Sequence, residues 1–375
     1  MKIVHVGKFY PPHWGGMETA LKDICEVLSP RVELEALVAA DGPDTVTEVV
    51  RGVRISRLAN RGTVFSQPLV RGLGRRFRDL EADVVHLHEP NPLAMVQFLM
   101  SGNPAALVIH YHSDIVRQKK LMWLYRPWLE AGLARAHTIV VGSRELIESS
   151  PVLRRWEHKC AVIPFGIDLA PFLAIERGAA PAPADVALRI LAVGRLTYYK
   201  GFHYLIEAMR SIPEARLAIV GDGQERTSLE RQIAAGGLER RVELCGRLDD
   251  PALIERYRQA DVFCLPSCER AEAFGLVQLE AMGAGLPVVS TDLPTGMRAV
   301  NRHGETGLVV PPQDPGALAA ALSCLAAGPD LRLRLGVAAR RRAVEFFSRE
   351  TMGHRLRALY STVCQPEQET ISWST

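Results

Sequence analysis

Short apolar, β-branched runs alternate with helix-period segments along the whole chain, and the series occurs twice. Runs that read as strands fall at Lys2–Val6, Glu33–Ala39, Asp83–His88, Ala106–Tyr111, Thr138–Val141 and Cys160–Ile163. A second set follows at Leu188–Val193, Arg216–Val220, Val242–Leu244, Val262–Leu265, Pro287–Ser290 and Gly307–Val310. Helical patterns lie between them, among them Met17–Leu28, Trp123–Ala134, Gly201–Met209, Gln224–Ala234, Pro251–Gln259 and Val277–Met282. Strands separated by helices pair in parallel through helical crossovers, so the pattern implies α/β architecture with two doubly wound, Rossmann-like parallel sheets. The 375-residue length also exceeds what one core supports. Leu169–Asp185, with Pro171, Pro181 and Pro183 among alanines, breaks the alternation and reads as a linker over 169–186. It separates a first domain, 1–168, from a second, 187–345.

Composition narrows the function classes. A net charge of +3 carries no global nucleic-acid footprint. Seven cysteines lie scattered without a CxxC pair, which fits reduced thiols in a cytoplasmic protein. Met1–Val6 runs straight into a strand with no signal-peptide core, and no apolar stretch of about twenty residues exists to span a bilayer.

The chemistry concentrates in the second half. Glu272-Ala273-Phe274-Gly275-Leu276-Val277-Gln278-Leu279-Glu280 places two carboxylates on either side of a glycine turn that leads into an apolar helix. A helix starting near Phe274 would aim free backbone N–H groups at an anion, with Glu272 at its mouth and Glu280 about two turns deeper. The same residues also suit a plain helix start, where an acidic residue is favoured by the dipole. Upstream, Gly194-Arg195 and Lys200-Gly201 follow a strand end, and two cations there can neutralise a diphosphate. Gly221-Asp222-Gly223 ends the next strand with glycines that let a ligand approach the backbone.

These pieces stand in a fixed order: Val193-Gly194-Arg195-Leu196, Lys200-Gly201, Gly221-Asp222-Gly223, Gly246-Arg247-Leu248, Pro266-Ser267, Glu272 to Glu280, Gly285-Leu286-Pro287 and Gly304-Glu305-Thr306-Gly307. In that order they resemble the family 4 glycosyltransferases, retaining enzymes of the GT-B fold in which two Rossmann-like domains face a central cleft. The likeness covers nearly all of the second domain and is nearest to bacterial polysaccharide mannosyl- and rhamnosyltransferases. It implies that Glu272 holds hydroxyls of the donor sugar and Glu280 the ribose hydroxyls of the nucleotide. Arg195 and Lys200 would clamp the diphosphate, helped by backbone N–H groups over Phe274, Gly275, Leu276 and Val277. Gly221 would line the same site, and Leu248 would border the base. The family also implies that the last helix, Ser348–Val363 within 346–375, crosses back to the first domain.

In the first domain, Gly15 and Gly16 expose backbone at a helix start, and the loop matches the family's glycine loop that reaches the donor phosphate. His112 matches the histidine that lies close to the transferred sugar. His86 and His88 form a second His-x-His pair, so a zinc site has to be weighed against histidines that are structural or hydrogen-bonded in a cleft. No Asp-x-Asp handle occurs, and the expectation is metal-independent transfer with no cofactor beyond a UDP- or GDP-sugar donor. One departure from the family is Ala299, where relatives often carry glutamate; a subset resembling the mannosyl- and rhamnosyltransferases also lacks it.

Two basic stretches suggest the acceptor side. Seven arginines and no acid lie between Val49 and Phe77, and Arg117, Lys119, Lys120 and Arg126 are interleaved with Met122, Trp123, Leu124, Tyr125 and Trp128. Such alternation suits an anionic membrane surface and a saccharide or lipid-linked acceptor, with the protein peripheral at the inner face of the cell membrane. Two other classes fit the architecture. A nucleotide-sugar epimerase or hydrolase would turn over donor without acceptor, and a binding scaffold would not turn it over at all.

Overall fold

The computed structural model describes residues 1–13, 15–64, 67–115, 119–176 and 188–364, with only the backbone of 119–122. The chain divides into two compact units: Met1–Gly166 with the chain from Arg349 onward, and Ile167–Ser348. Most of the expected linker, 177–186, and the tail after Cys364 lie outside the described residues, as do Trp14 and Arg117. Ala170–Leu173, inside the expected linker, is a helical turn of the second unit, where Arg340 donates to the carbonyls of Leu173 and Ile175.

The first unit holds β1 (Lys2–Val6), β2 (Glu33–Ala39), β3 (Val46–Val50), β4 (Val53–Leu58), β5 (Asn60–Val64), β6 (Gln67–Val70), β7 (Val84–Glu89), β8 (Ala106–Tyr111), β9 (Thr138–Val141) and β10 (Cys160–Val162). Eight of these form one sheet in the order β10-β9-β8-β7-β1-β2-β4-β3, parallel except for β3, while β5 and β6 make a separate hairpin. Burial on both faces explains why the parallel strands read as continuous apolar runs rather than alternating ones. One face carries Val85, Leu87, Leu107 and Ile109 under the helices Pro92–Ser101 and Lys119–Arg135. The other carries Ile3, Val84 and Val108 under Gly16–Leu28 and the final helix, Arg349–Cys364, through Met352, Leu356 and Tyr360.

The second unit holds β11 (Leu188–Val193), β12 (Ala215–Val220), β13 (Val242–Gly246), β14 (Val262–Leu265), β15 (Val288–Thr291) and β16 (Gly307–Val310), all parallel, in the order β13-β12-β11-β14-β15-β16. In each sheet the chain runs outward from its first strand, then returns to that strand's other side. The reversals lie between β1 and β7 and between β11 and β14, and crevices at such switch points are where ligands bind.

Arg51 and Gly52, both at positive φ, form a two-residue turn that pairs β3 with β4. Arg57 binds Glu48 at 2.7 Å, Arg76 forks onto both oxygens of Glu35, and Arg51 meets Glu26. Three of the seven arginines thus neutralise acids of their own unit.

Candidate active site

In the second unit the loops after β11, β12 and β13 are stitched together by their backbones. Gly194 N–H donates to Val220 O, Leu196 N–H to Asp222 O, and Gly221 N–H to Gly246 O. Gly221 has φ +139°, and a Cβ there would strike the Gly194 carbonyl, so glycine lets these loops close on one another. The seam fixes Arg195, which is exposed, and leads through Leu196 to Lys200, which is buried. Leu248 follows the same seam beyond Gly246 and is half-buried.

Across the switch point, the chain leaving β14 turns at Pro266 and Ser267 and reaches Glu272. Lys200 Nζ lies 2.6 Å from Glu272 Oε2, with side-chain exposures of 9% and 10%. Ser267 Oγ donates to the same oxygen at 2.8 Å, and the Ser267 carbonyl is held by Thr291 Oγ1. The cation and the hydroxyl thus both meet Oε2. Bonds to a charged group of this kind are worth about 1.5–3 kcal/mol each.

The helix after this turn spans Val277–Gly283, matching the expected Val277–Met282 and starting three residues beyond the alternative start near Phe274. The delay comes from Gly275, at φ +71°, where a Cβ would come within 2.6 Å of Gln278 Nε2 and 2.8 Å of Leu265 Cδ2. Gln278 is fully buried, and its amide N–H donates to the Gly275 carbonyl, so backbone bonding starts there. The Gly275, Leu276 and Val277 amides precede that first bond, as the first N–H groups of a helix do. Glu280 sits on the helix, half-buried, and receives the Tyr257 hydroxyl at 2.7 Å. Burial and the Glu280 charge raise the Tyr257 pKa well above the ordinary phenol value, so Tyr257 is a fixed donor.

The first unit has its own polar cluster at the carboxyl ends of β1, β7 and β8. Parallel register sets His5 beside His86 and His88 beside His110. With His112 they form a buried stack, neighbouring rings lying 4.6–5.4 Å apart. Burial is the first cause that lowers the pKa of every one, His88 to about 3, so all five are neutral. Glu89 lies fully buried at the end of β7, where Tyr125 O–H and Asn91 N–H each donate to Oε2 at 2.9 Å. Gly15 and Gly16 open the helix Gly16–Leu28, Gly15 in an extended conformation with its carbonyl accepting from Thr19 N–H. A Cβ on Gly16 would meet nothing within 4 Å among the described residues.

Sequence reasoning named Lys200, Glu272 and Glu280 but not Ser267 as the bond holding Glu272, nor Tyr257 as the partner of Glu280. Tyr257 carries no local signal, because it comes from the helix Asp250–Gln259. His5 was missed as well, although the alternation of β1 beside β7 puts it on the face of His86 and His88.

Comparison with known proteins places the chain. Residues 14–171 match the model of Glycosyltransferase Family 4, and residues 181–342 match that of Glycosyl transferases group 1. A D-rhamnosyltransferase, WbpZ, of Pseudomonas aeruginosa is 33% identical over 93% of this chain and 92% of its own. The O-antigen chain mannosyltransferase C of Escherichia coli is 30% identical over 97% and 99%. A phosphatidyl-myo-inositol mannosyltransferase of Mycobacterium leprae is 30% identical over 93% of each. Among solved structures, a sucrose-phosphate synthase from Thermosynechococcus elongatus superposes with a TM-score of 0.79 at 25% identity, covering 98% of this chain and all of that one. Anabaena HepE in complex with UDP superposes at 0.78 with 21% identity, over 96% of this chain and all of that one, a likeness of fold. The chain belongs to the glycosyltransferases that join a family 4 first domain to a group 1 second domain, and its fold is GT-B.

Proposed function

We propose that this glycosyltransferase moves a hexose, with mannose favoured, from a nucleoside diphosphate sugar to a hydroxyl of a saccharide or lipid-linked saccharide, retaining anomeric configuration. The observation that carries the reading is the Lys200–Glu272–Ser267 cluster spanning the β11/β14 switch point. A cation and a carboxylate side by side suit a ligand that offers diphosphate oxygens to one and sugar hydroxyls to the other. Arg195 and Lys200 take the diphosphate and stabilise its charge as it leaves, with the amides of Phe274, Gly275, Leu276 and Val277. Glu272 orients the sugar, Glu280 the ribose, and Gly221 and Leu248 border the nucleotide. Gly15, Gly16 and His112 act from the first unit, His112 near the transferred sugar. No carboxylate is assigned as a covalent nucleophile, so displacement occurs on the same face with the departing phosphate's help, and no metal is required.

The relatives' names, a rhamnosyltransferase, an O-antigen mannosyltransferase and a phosphatidyl-myo-inositol mannosyltransferase, support the choice of sugar and a role in bacterial surface polysaccharide or glycolipid synthesis. The proposed site of action is peripheral, at the inner face of the cell membrane. Among the described residues no helix is long and apolar enough to cross a membrane. On the helix Lys119–Arg135, Trp123 and Leu124 are 78% and 66% exposed beside Arg126, which suits an anionic lipid surface.

The test is a panel of UDP-, GDP-, ADP- and dTDP-sugars scored by melting shift and by transfer with chelator present. A donor at a hundred times its dissociation constant stabilises by roughly 2.7 kcal/mol. One donor should raise the melting point, and Arg195→Ala should abolish the shift. Silence at saturating concentration across the panel, or transfer that requires added metal, would count against the reading.

A further inference from the structure

The stacked histidines of the first unit are joined end to end by hydrogen bonds. His112 Nε2 lies 2.9 Å from His88 Nδ1, and His88 Nε2 lies 3.1 Å from His5 Nδ1. His5 Nε2 then meets the Tyr360 hydroxyl at 3.2 Å, and that hydroxyl meets His86 Nδ1 at 2.5 Å. Tyr360 comes from the last helix, Arg349–Cys364, more than two hundred residues from the histidines it joins. Every ring along this path is buried, His112 alone keeping a few per cent of exposure.

A neutral imidazole carries one N–H and one bare nitrogen. The hydroxyl has one hydrogen, so it donates to one histidine and accepts from the other. The proton positions of His112, His88, His5 and His86 are therefore not independent. Either all four carry hydrogen on Nδ1, or all four carry it on Nε2. The orphan at the far end decides between the two. His86 Nε2 is sealed from solvent and has no partner among the described residues. If the chain ran with hydrogen on Nε2, that atom would be a buried N–H donating to nothing, added to the orphan N–H that neutral His110 already carries, and among backbone groups an orphaned N–H is rarer than an orphaned acceptor. With hydrogen on Nδ1, His86 donates to Tyr360, Tyr360 to His5, His5 to His88 and His88 to His112.

We infer that Tyr360 and the histidines behind it are positioning residues that fix His112 in the Nδ1–H form, so that its outer edge is a hydrogen-bond donor. Such an edge suits an oxygen of a sugar or of a departing phosphate, and it cannot serve as a base. This assignment of a ligand rests on the function proposed above; the tautomer itself does not.

In this arrangement the same rings are set for the hydrogen-bonded chain rather than for a shared ion. His86, His88 and His110 have nitrogens within 4.8 Å of one another, but both nitrogens of His88 are used in the chain. His86 and His110 stack at 17° between planes and His88 and His110 at 19°, so their in-plane lone pairs run side by side rather than converging. His110 stands outside the chain, with neither ring nitrogen partnered among the described residues, and it does not distinguish the two polarities.

The test is the ring ¹⁵N spectrum of full-length protein labelled at histidine, unliganded, with His112 assigned by comparison with His112→Gln. The expected result is Nδ1–H for His112, His88, His5 and His86. Tyr360→Phe should leave His112 a mixture of tautomers and lower kcat at least tenfold, with the donor melting shift unchanged. Nε2–H rings in the wild type, or mixed tautomers there, would overturn the inference without any variant. So would a His112 signal that ignores Tyr360→Phe, or one zinc ion taken up per chain and lost in His86→Phe. A silent donor panel beside an Nδ1–H spectrum would instead remove the proposed function and leave the relay standing.

Discussion

Replacing Glu89 by glutamine tests how the first unit's buried cluster is charged. Glu89 is fully buried, and burial is the largest effect on it, raising its pKa from 4.5 to about 7. The bonds from Asn91 N–H and Tyr125 O–H and the charge of Lys8 oppose that rise without cancelling it. Oε1 is sealed and has no partner among the described residues, so ionisation would leave half the carboxylate unsolvated. A folded-state pKa above the unfolded one means the folded form holds its proton more tightly. The stabilisation is therefore complete below about pH 4.5 and is lost as pH rises towards 7. At 1.36 kcal/mol per unit the whole loss is about 3 kcal/mol, of which about 2.5 falls between about pH 5 and about pH 8. Glutamine keeps an oxygen for the two donors but has nothing to titrate. Urea unfolding of wild type and Glu89→Gln at both pH values gives four free energies, and the difference of differences isolates this group. Asp23, also raised by burial to about 6, titrates in both proteins and cancels. The expected result is a variant that loses about 2.5 kcal/mol less than wild type on going to the higher pH. Parallel pH profiles would refute the claim that Glu89 is buried without adequate solvation.

Lys200→Met should destabilise the second unit by about 3–5 kcal/mol, because it strands the Glu272 carboxylate in a nearly closed site. Adding Glu272→Leu should recover most of that loss, and denaturant midpoints of the single and double variants decide it; no recovery would mean the pair is not coupled. Trp123→Ser with Trp128→Ser should reduce co-sedimentation with vesicles containing anionic lipid while leaving the unfolding free energy within about 1 kcal/mol of wild type. Unchanged sedimentation would remove this helix from any membrane contact.

Much of the architecture was readable from residue order alone. Runs such as Leu188–Val193 and Ala106–Tyr111 are buried on both faces, so their apolar continuity and length name them as strands. The turn between β3 and β4 escaped because Arg51-Gly52 lacks the asparagine or aspartate that usually marks positive φ at the first position. The helices Pro315–Ala327 and Pro329–Phe347 were not singled out, although Asp314 before Pro315 is a readable start and its side chain accepts the Ala317 N–H. In the candidate site, Lys200 and Glu272 could be named but not paired, because 72 residues separate them and only the strand order brings β11 beside β14. The histidine chain is further from the sequence still. It requires the register of β1 against β7, that of β7 against β8, and a tyrosine delivered by the last helix.

That last helix also sets a timetable for synthesis. The core face holding Ile3, Leu21, Ile24 and Val84 is completed by Met352, Leu356, Leu359 and Tyr360. The second unit, Ile167–Ser348, is one continuous stretch that is made before that helix. A ribosome therefore releases the middle of the chain with all its parts while the beginning still waits for its lid. Chains stalled just before Arg349 should show a protease-resistant middle and a cleavable start; a resistant start would mean that the first-made segment closes without its last-made helix.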